Sequence, residues 1–151
     1  MYSVTKSITI HTTKEKLWKA LVTPEMIERY LMGARVSSDW KVGGEIVYQG
    51  EFNGVQFRDE GIIDIMDVEK EFKYSYWSAN HGTTKSKENF VSISYKIDMI
   101  GHEVNLAVNQ TNYKSKQLAD GMNQIWDLIL GNLKKLLETQ NEQRKPNHVM
   151  L

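Results

Sequence analysis

The sequence predicts an α+β domain in which one long C-terminal helix lies across an antiparallel sheet. Three observations predict it. Between Ala34 and Val108 the chain is a succession of short segments whose apolar residues alternate with polar ones, the period of half-buried strands. From Leu118 onward the period changes, and Met122, Ile125, Trp126, Ile129, Leu133, Leu136 and Leu137 recur at helical three- and four-residue steps. Between the opening strand and the remaining strands stand two short amphipathic helices. The wide apolar stripe must be covered, and only the strand-rich middle can cover it. A helix across a sheet can leave a space between the two layers, so the chain reads as a container.

The elements follow in order. Val4, Ile8 and Ile10 alternate with polar neighbours in an opening strand that ends near His11. Thr12 and Glu15 make a capping-box pattern, Thr-x-x-Glu, ahead of a short helix that turns Leu17, Trp18, Leu21 and Val22 to one side. Thr23-Pro24 starts a second helix, with proline where its missing N–H does no harm, and Met26, Ile27, Tyr30 and Leu31 as its apolar side. Gly33 ends it.

A short strand follows from Ala34 to Trp40, then a Gly43-Gly44 turn and a strand carrying Ile46 and Tyr48. Asn53-Gly54 is a strong hairpin signal. Phe57 to Val68 reads as one long strand, bulged at Gly61, and Glu69-Lys70-Glu71 as a charged turn. Phe72, Tyr74 and Tyr76 alternate on the next strand, and Asn80 to Glu88 is a polar, exposed loop. Two clean strands close the sheet, one with Val91, Ile93, Tyr95 and Ile97, the other with Val104, Leu106 and Val108, turning at Gly101.

Within the long helix, Gly121 and Gly131 each cost about 1 kcal/mol relative to alanine. Close contact with a strand, or tolerated frustration, is the expected reason for each. Room for a ligand is the rival. The segment from Gln140 to Leu151 is polar, contains Pro146 and lacks periodicity. The expected organisation is therefore one domain over residues 1–139 and a frayed tail over 140–151.

Composition narrows the function classes. A chain of 151 residues is the length of one ordinary domain. Its 19 basic and 19 acidic residues cancel, which gives no electrostatic footprint for nucleic acid. The absence of cysteine rules out a disulfide framework, a thiol nucleophile and thiolate metal sites, and suits a reducing compartment. The first residues lack an apolar signal region, and no apolar run reaches membrane-spanning length. The expected location is the cytoplasm, and the Asn109-Gln110-Thr111 sequon is read as chance.

The motifs that carry familiar chemistry fail one by one. His102-Glu103 begins like the zinc motif His-Glu-x-x-His, but the fifth position is Leu106. His11, His81 and His148 are scattered, so no metal and no cofactor is expected. No phosphate loop and no nucleophile elbow occurs. Asp59-Glu60, with Arg58 beside it and Glu51 across the hairpin, is the remaining acidic feature. Adjacent strand residues point to opposite faces, so at most one carboxylate enters the interior, where burial would raise its pKa and suit it to acid–base work. An exposed pair answered by Arg58 or a lysine is the expectation. The aromatic residues Tyr48, Phe57, Tyr74, Tyr76 and Tyr95 fall on strands, and with Met122 and Trp126 of the helix they are the candidate ligand-binding residues of a cavity. No catalytic residue is assigned.

Several stretches together resemble a known family. Trp40-Lys41-Val42-Gly43-Gly44-Glu45, the Gly61-Ile62-Ile63 strand leading to Tyr74-Ser75-Tyr76-Trp77, and Asn132-Leu133-Lys134-Lys135-Leu136-Leu137-Glu138 are similar to homologues of the heat-shock-protein-90 ATPase activator. These belong to the START-like, or SRPBCC, superfamily of polyketide cyclases and Bet v 1-like proteins. Trp18 and Thr23-Pro24-Glu25 support the likeness, which covers residues 4–139. It implies a helix-grip fold: a curved antiparallel sheet wrapped around the C-terminal helix, with two short helices closing one end. It also implies an internal cavity, used in the superfamily for lipids, hydrophobic metabolites or polyketide cyclisation. Tyr30 and Met122 stand where the family often has tryptophan, which would alter the cavity's shape. The chain reads as a lone domain, without the extra N-terminal domain of the eukaryotic activator.

The function expected is binding of a small hydrophobic or amphipathic ligand between sheet and helix, by a monomer or a homodimer. Two rivals stand beside it: a chaperone or stress-response accessory that works through its surface, and a cyclase-like enzyme with a cavity carboxylate. Fold does not decide among them.

Overall fold

The computed structural model describes residues 1–143, with side chains described through residue 140. In chain order the elements are β1 (Tyr2–Ile10), α1 (Lys14–Val22), α2 (Pro24–Tyr30), β2 (Arg35–Ser38), β3 (Glu45–Phe52), β4 (Val55–Asp67), β5 (Glu71–Tyr76), β6 (Val91–Ile100), β7 (Glu103–Tyr113) and α3 (Lys116–Gln143). Single 3₁₀ turns at Ala79–His81 and Lys87–Asn89 punctuate the loop between β5 and β6. The seven strands form one antiparallel sheet in the order β1-β7-β6-β5-β4-β3-β2. From β2 to β7 the order is a meander of hairpins, and β1 returns to pair with the last strand. β1 and β2 therefore lie on opposite edges, and α1 and α2 carry the chain between them, closing one end. With α3 gripped by the curved sheet, this is the helix-grip α+β fold.

Local sequence accounts for most boundaries. Asn53 (φ 52°) and Gly54 (φ 79°) are both left-handed between the paired Phe52 and Val55, the two-residue turn that matches the strand twist. Pro24 opens α2, and Gly33 (φ 76°) closes it by donating its N–H to Glu28 at 3.0 Å. The start of α1 differs from expectation by one residue. Thr13 is the N-cap, its hydroxyl accepting from the Lys16 N–H at 3.1 Å, whereas Thr12 is buried with no partner for its hydroxyl among the described residues. Glu15 is then free of the capping box and pairs with Lys19 one turn on, at 3.1 Å.

Gly61 is not a bulge. The register between β4 and β5 slips between Ile63 and Ile65 instead. At Gly61 the two strands approach so closely that a Cβ would stand 1.5 Å from the Ser75 carbonyl oxygen, so only glycine fits. The Trp40–Glu45 segment docks onto the same strand: the Gly43 N–H donates to Ile63 and the Ile63 N–H to Gly44, at 2.8 and 2.9 Å.

α3 lies against β1, β7 and α2. Ala119, Trp126, Ile129, Leu130, Leu133 and Leu137 are its buried residues among those described, and they join Ile10, Leu17, Leu21, Ile27 and Leu106 in the core. Neither helix glycine touches a strand, since no atom lies within 4 Å of the Cβ position at Gly121 or Gly131. Gly131 faces outward, and Gly121 borders the space described below. α3 continues through Gln143, into the segment read as tail, and the remainder of that segment lies outside the described residues. No described helix is long and apolar enough to cross a membrane.

Candidate functional site

Between the N-terminal half of α3 and the concave face of the sheet is a cavity of about 740 Å³. The period of two decides its sheet wall: Tyr48 on β3, Phe57 and Asp59 on β4, Tyr74 and Tyr76 on β5, and Ile93 and Tyr95 on β6 all point inward. α3 supplies Leu118, Met122, Ile125, Trp126 and Ile129. The seven residues singled out from the sequence thus border one cavity, five from the sheet and two from α3. Exposed residues of the hairpin tip (Asn53, Val55), the first 3₁₀ turn (Asn80) and the start of α3 (Ser115, Gln117) form its mouth. Tyr30 is not part of it, being buried elsewhere with its hydroxyl donated to the Ala20 carbonyl at 2.9 Å.

The wall is an aromatic lattice. Tyr48 stacks on Tyr74 at 5.6 Å, Tyr74 stands 6.3 Å from Tyr95, and Tyr95 meets Trp126 edge-on at 5.9 Å. The Tyr74 and Tyr95 hydroxyls are 3.5 Å apart. Burial raises the pKa of Tyr48, Tyr74 and Tyr95, so these groups stay neutral and act as hydrogen-bonding hydroxyls. A second set lies deeper toward β7. The Tyr76 hydroxyl is 3.3 Å from His81 Nε2 and 3.3 Å from the Tyr113 hydroxyl, which donates to the Gln110 side-chain carbonyl.

Asp59 and Glu60 take opposite roles. Glu60 points away and pairs with Lys85 and Arg58, and the Lys85 bond, first, and then Arg58 hold its carboxyl below the usual range. Asp59 borders the cavity opposite Tyr48. Burial pushes its pKa up to about 6, a shift that the neighbouring Ser78 hydroxyl partly offsets. Its Oδ1 has no hydrogen-bond partner among the described residues, and neither have His81 Nδ1 and Trp126 Nε1. The exposed ion pair expected for the whole cluster therefore describes Glu60 alone. Glu51 faces Gln56, not Asp59. The sequence left open which of the two faces inward; the signal that could have decided it is the alternation, because Phe57 and Asp59 are two residues apart on one strand.

His81 is the participant the sequence did not reveal. It sits in the loop read as exposed, yet it is only partly accessible, and burial lowers its pKa, which favours the neutral ring. Its ring packs edge-on against Tyr76 at 5.2 Å and Tyr113 at 5.9 Å. No periodic signal marks a lone histidine in a polar loop. Ile93 could have been found, since it shares a face with Tyr95. The arrangement can hold an apolar body, donate and accept hydrogen bonds through tyrosines, and exchange a proton near neutrality at Asp59. Among the described residues no three His, Asp or Glu side chains gather as a metal site requires.

The chain is similar to solved structures along most of its length. ChR145 from Cytophaga hutchinsonii is 30% identical, with a TM-score of 0.79, and the match covers 94% of this chain and 97% of that one. The Aha1 dimer from Colwellia psychrerythraea has a TM-score of 0.74 at 19% identity, covering 91% and 97%. DynU16, a putative protein in the dynemicin biosynthetic locus, has a TM-score of 0.76 at 12% identity, covering 91% of this chain but 48% of its own. At these two lower identities the likeness is one of fold. No protein of curated function matches the chain. Residues 11–138 match the family model for Activator of Hsp90 ATPase homolog 1-like protein, and with that match over most of the chain, the protein belongs to this family of the START-like superfamily.

Proposed function

We propose that this protein binds a small amphipathic molecule in the cavity between sheet and α3, and that residues 1–139 are the binding unit. The observation that carries the reading is a space of about 740 Å³ whose apolar wall holds a few inward polar groups without protein partners. Ligand sites have this make-up, with walls for affinity and a few polar atoms for orientation. An unpartnered buried polar atom costs about 1–3 kcal/mol, which a ligand that bonds to it recovers on binding. Tyr48, Phe57, Tyr74, Tyr76, Tyr95, Met122 and Trp126 are the proposed contacts. The experiment is mass spectrometry of protein purified natively from its own host, then released in denaturing solvent. A stoichiometric small molecule is expected, and it should be lost from an Ile93→Trp variant that fills the space. Protein that is empty and takes up no apolar probe would sink the reading.

The family membership favours one second reading, an accessory role toward a chaperone exercised through the surface, with a homodimer as in the Colwellia relative. The ATPase rate of the host's own Hsp90, with and without the purified protein, tests it. A change that survives Ile93→Trp would favour the surface, and no change would leave the cavity as the working site.

A further inference from the structure

The charge inventory of the cavity is lopsided. Among the described residues that border it, Asp59 is the one carboxyl, and none is a lysine or an arginine. Arg58, which lies between the inward Phe57 and Asp59 on the strand, and Lys85 both pair with Glu60, the neighbour that points away from the cavity. The groups around Asp59 offer no compensating charge. Tyr48 lies across on β3, Tyr76 on β5 and Tyr113 on β7, all neutral phenols, while Ser78 is uncharged and burial favours the neutral form of His81. An ionised carboxylate in an apolar, aromatic space without a counterion is costly. The same space suits a cation twice over: Asp59 Oδ1 lacks a partner, and Tyr48, Tyr74, Tyr95 and Trp126 present electron-rich rings. An anionic head group would meet one negative charge and no positive one.

We propose that the ligand is a monocationic amphiphile, its ammonium group seated beside Asp59 and its apolar body along the tyrosine and Trp126 wall. The inference rests on the reading that the cavity binds a small molecule, and names that molecule's class.

Three probes of one length separate the two claims: decylamine, decanol and decanoate, each titrated into the full chain by calorimetry below its micellar concentration. The titrations are run about two units above the Asp59 pKa, where the carboxylate and the ammonium are both charged. Decylamine should bind about tenfold or more tighter than decanol, with decanoate weakest. In Asp59→Asn the preference for the amine should vanish while decanol affinity stays within about twofold. Equal binding of amine and alcohol, tighter binding of decanoate, or an amine preference that survives Asp59→Asn would each overturn the cation assignment and leave the cavity reading standing. If none of the three binds, both fall.

Discussion

The two halves of α3 carry the same apolar spacing and do different things with it. In the C-terminal half Leu130, Leu133 and Leu137 are packed against β1, α2 and the core behind them, with Leu137 fully buried. In the N-terminal half Leu118, Met122 and Ile125 are only partly covered, because they face the cavity. An apolar period says which way a helix face turns, not how far away the opposing layer stands. Here the distance follows from what the sheet presents. The C-terminal half packs against β1 and α2, whose fully buried residues Ile10 and Ile27 present no polar side-chain atom. Opposite the N-terminal half are tyrosine hydroxyls and the Asp59 carboxyl, polar groups that cannot be pressed dry against leucine and methionine without a desolvation cost.

The strongest way to break this contrast is to cut matching side chains from the two halves. Leu133→Ala should lose about 3–5 kcal/mol in denaturant unfolding, the cost of a cavity in a packed core. Met122→Ala should lose less than about 1 kcal/mol, since part of that side chain already faces empty space. Similar losses at both sites would mean that the layers close in solution. Trp126 stands at the boundary, buried on one side and bordering the cavity on the other. Its replacement by alanine should cost about 2–3 kcal/mol, below the range for a fully packed tryptophan, and added decanol should restore part of the loss.

Asp59 sharpens the contrast through pH. Its folded pKa is raised from 3.8 to about 6, so the folded state holds the proton more tightly than the unfolded chain. The stability this contributes is full below the unfolded value and is lost as pH rises through that window. Asp59→Asn should therefore stabilise the protein above about pH 7 by on the order of 2 kcal/mol, discounted for water in the cavity, and change little near pH 4. A variant no more stable than the parent at the higher pH would place the carboxylate in water. His81, whose pKa is lowered, has the opposite sign: its contribution is present above its unfolded value and fades as the pH falls. Comparing parent and variant cancels it.

The smallest effect compares the two glycines. Gly131→Ala and Gly121→Ala should each stabilise α3 by about 1 kcal/mol, since nothing lies within 4 Å of either Cβ position. Only Gly121→Ala should also weaken probe binding, because only that methyl enters the cavity. Equal probe affinity in both variants would detach the first half of α3 from the site.

Much of this site was legible because strands obey a period of two. Tyr74, Tyr76 and Tyr95 alternate with polar residues, so their common face could be read directly, and the same rule puts Asp59 beside Phe57. Asn53-Gly54 set the β3–β4 register, since two consecutive left-handed residues permit one kind of hairpin. His81 was not legible, because its place depends on a loop folding back over β5 and β7. Gly61 was misread as a bulge because a strand glycine signals either a bulge or a close approach, and only the position of the Ser75 carbonyl separates them.

The sequence by itself determined the main elements, their order, the common face of the strand tyrosines and the lack of any thiol, since these follow from local periods, turn residues and composition. Tertiary structure alone decided that one half of α3 is packed and the other stands off, that Lys85 reaches Glu60, and that Asp59 Oδ1 has no hydrogen-bond partner among the described residues. The physical reason is that these depend on distances between elements far apart in the chain. A period fixes direction, but the gap between two layers is set by every side chain that has to fit inside it.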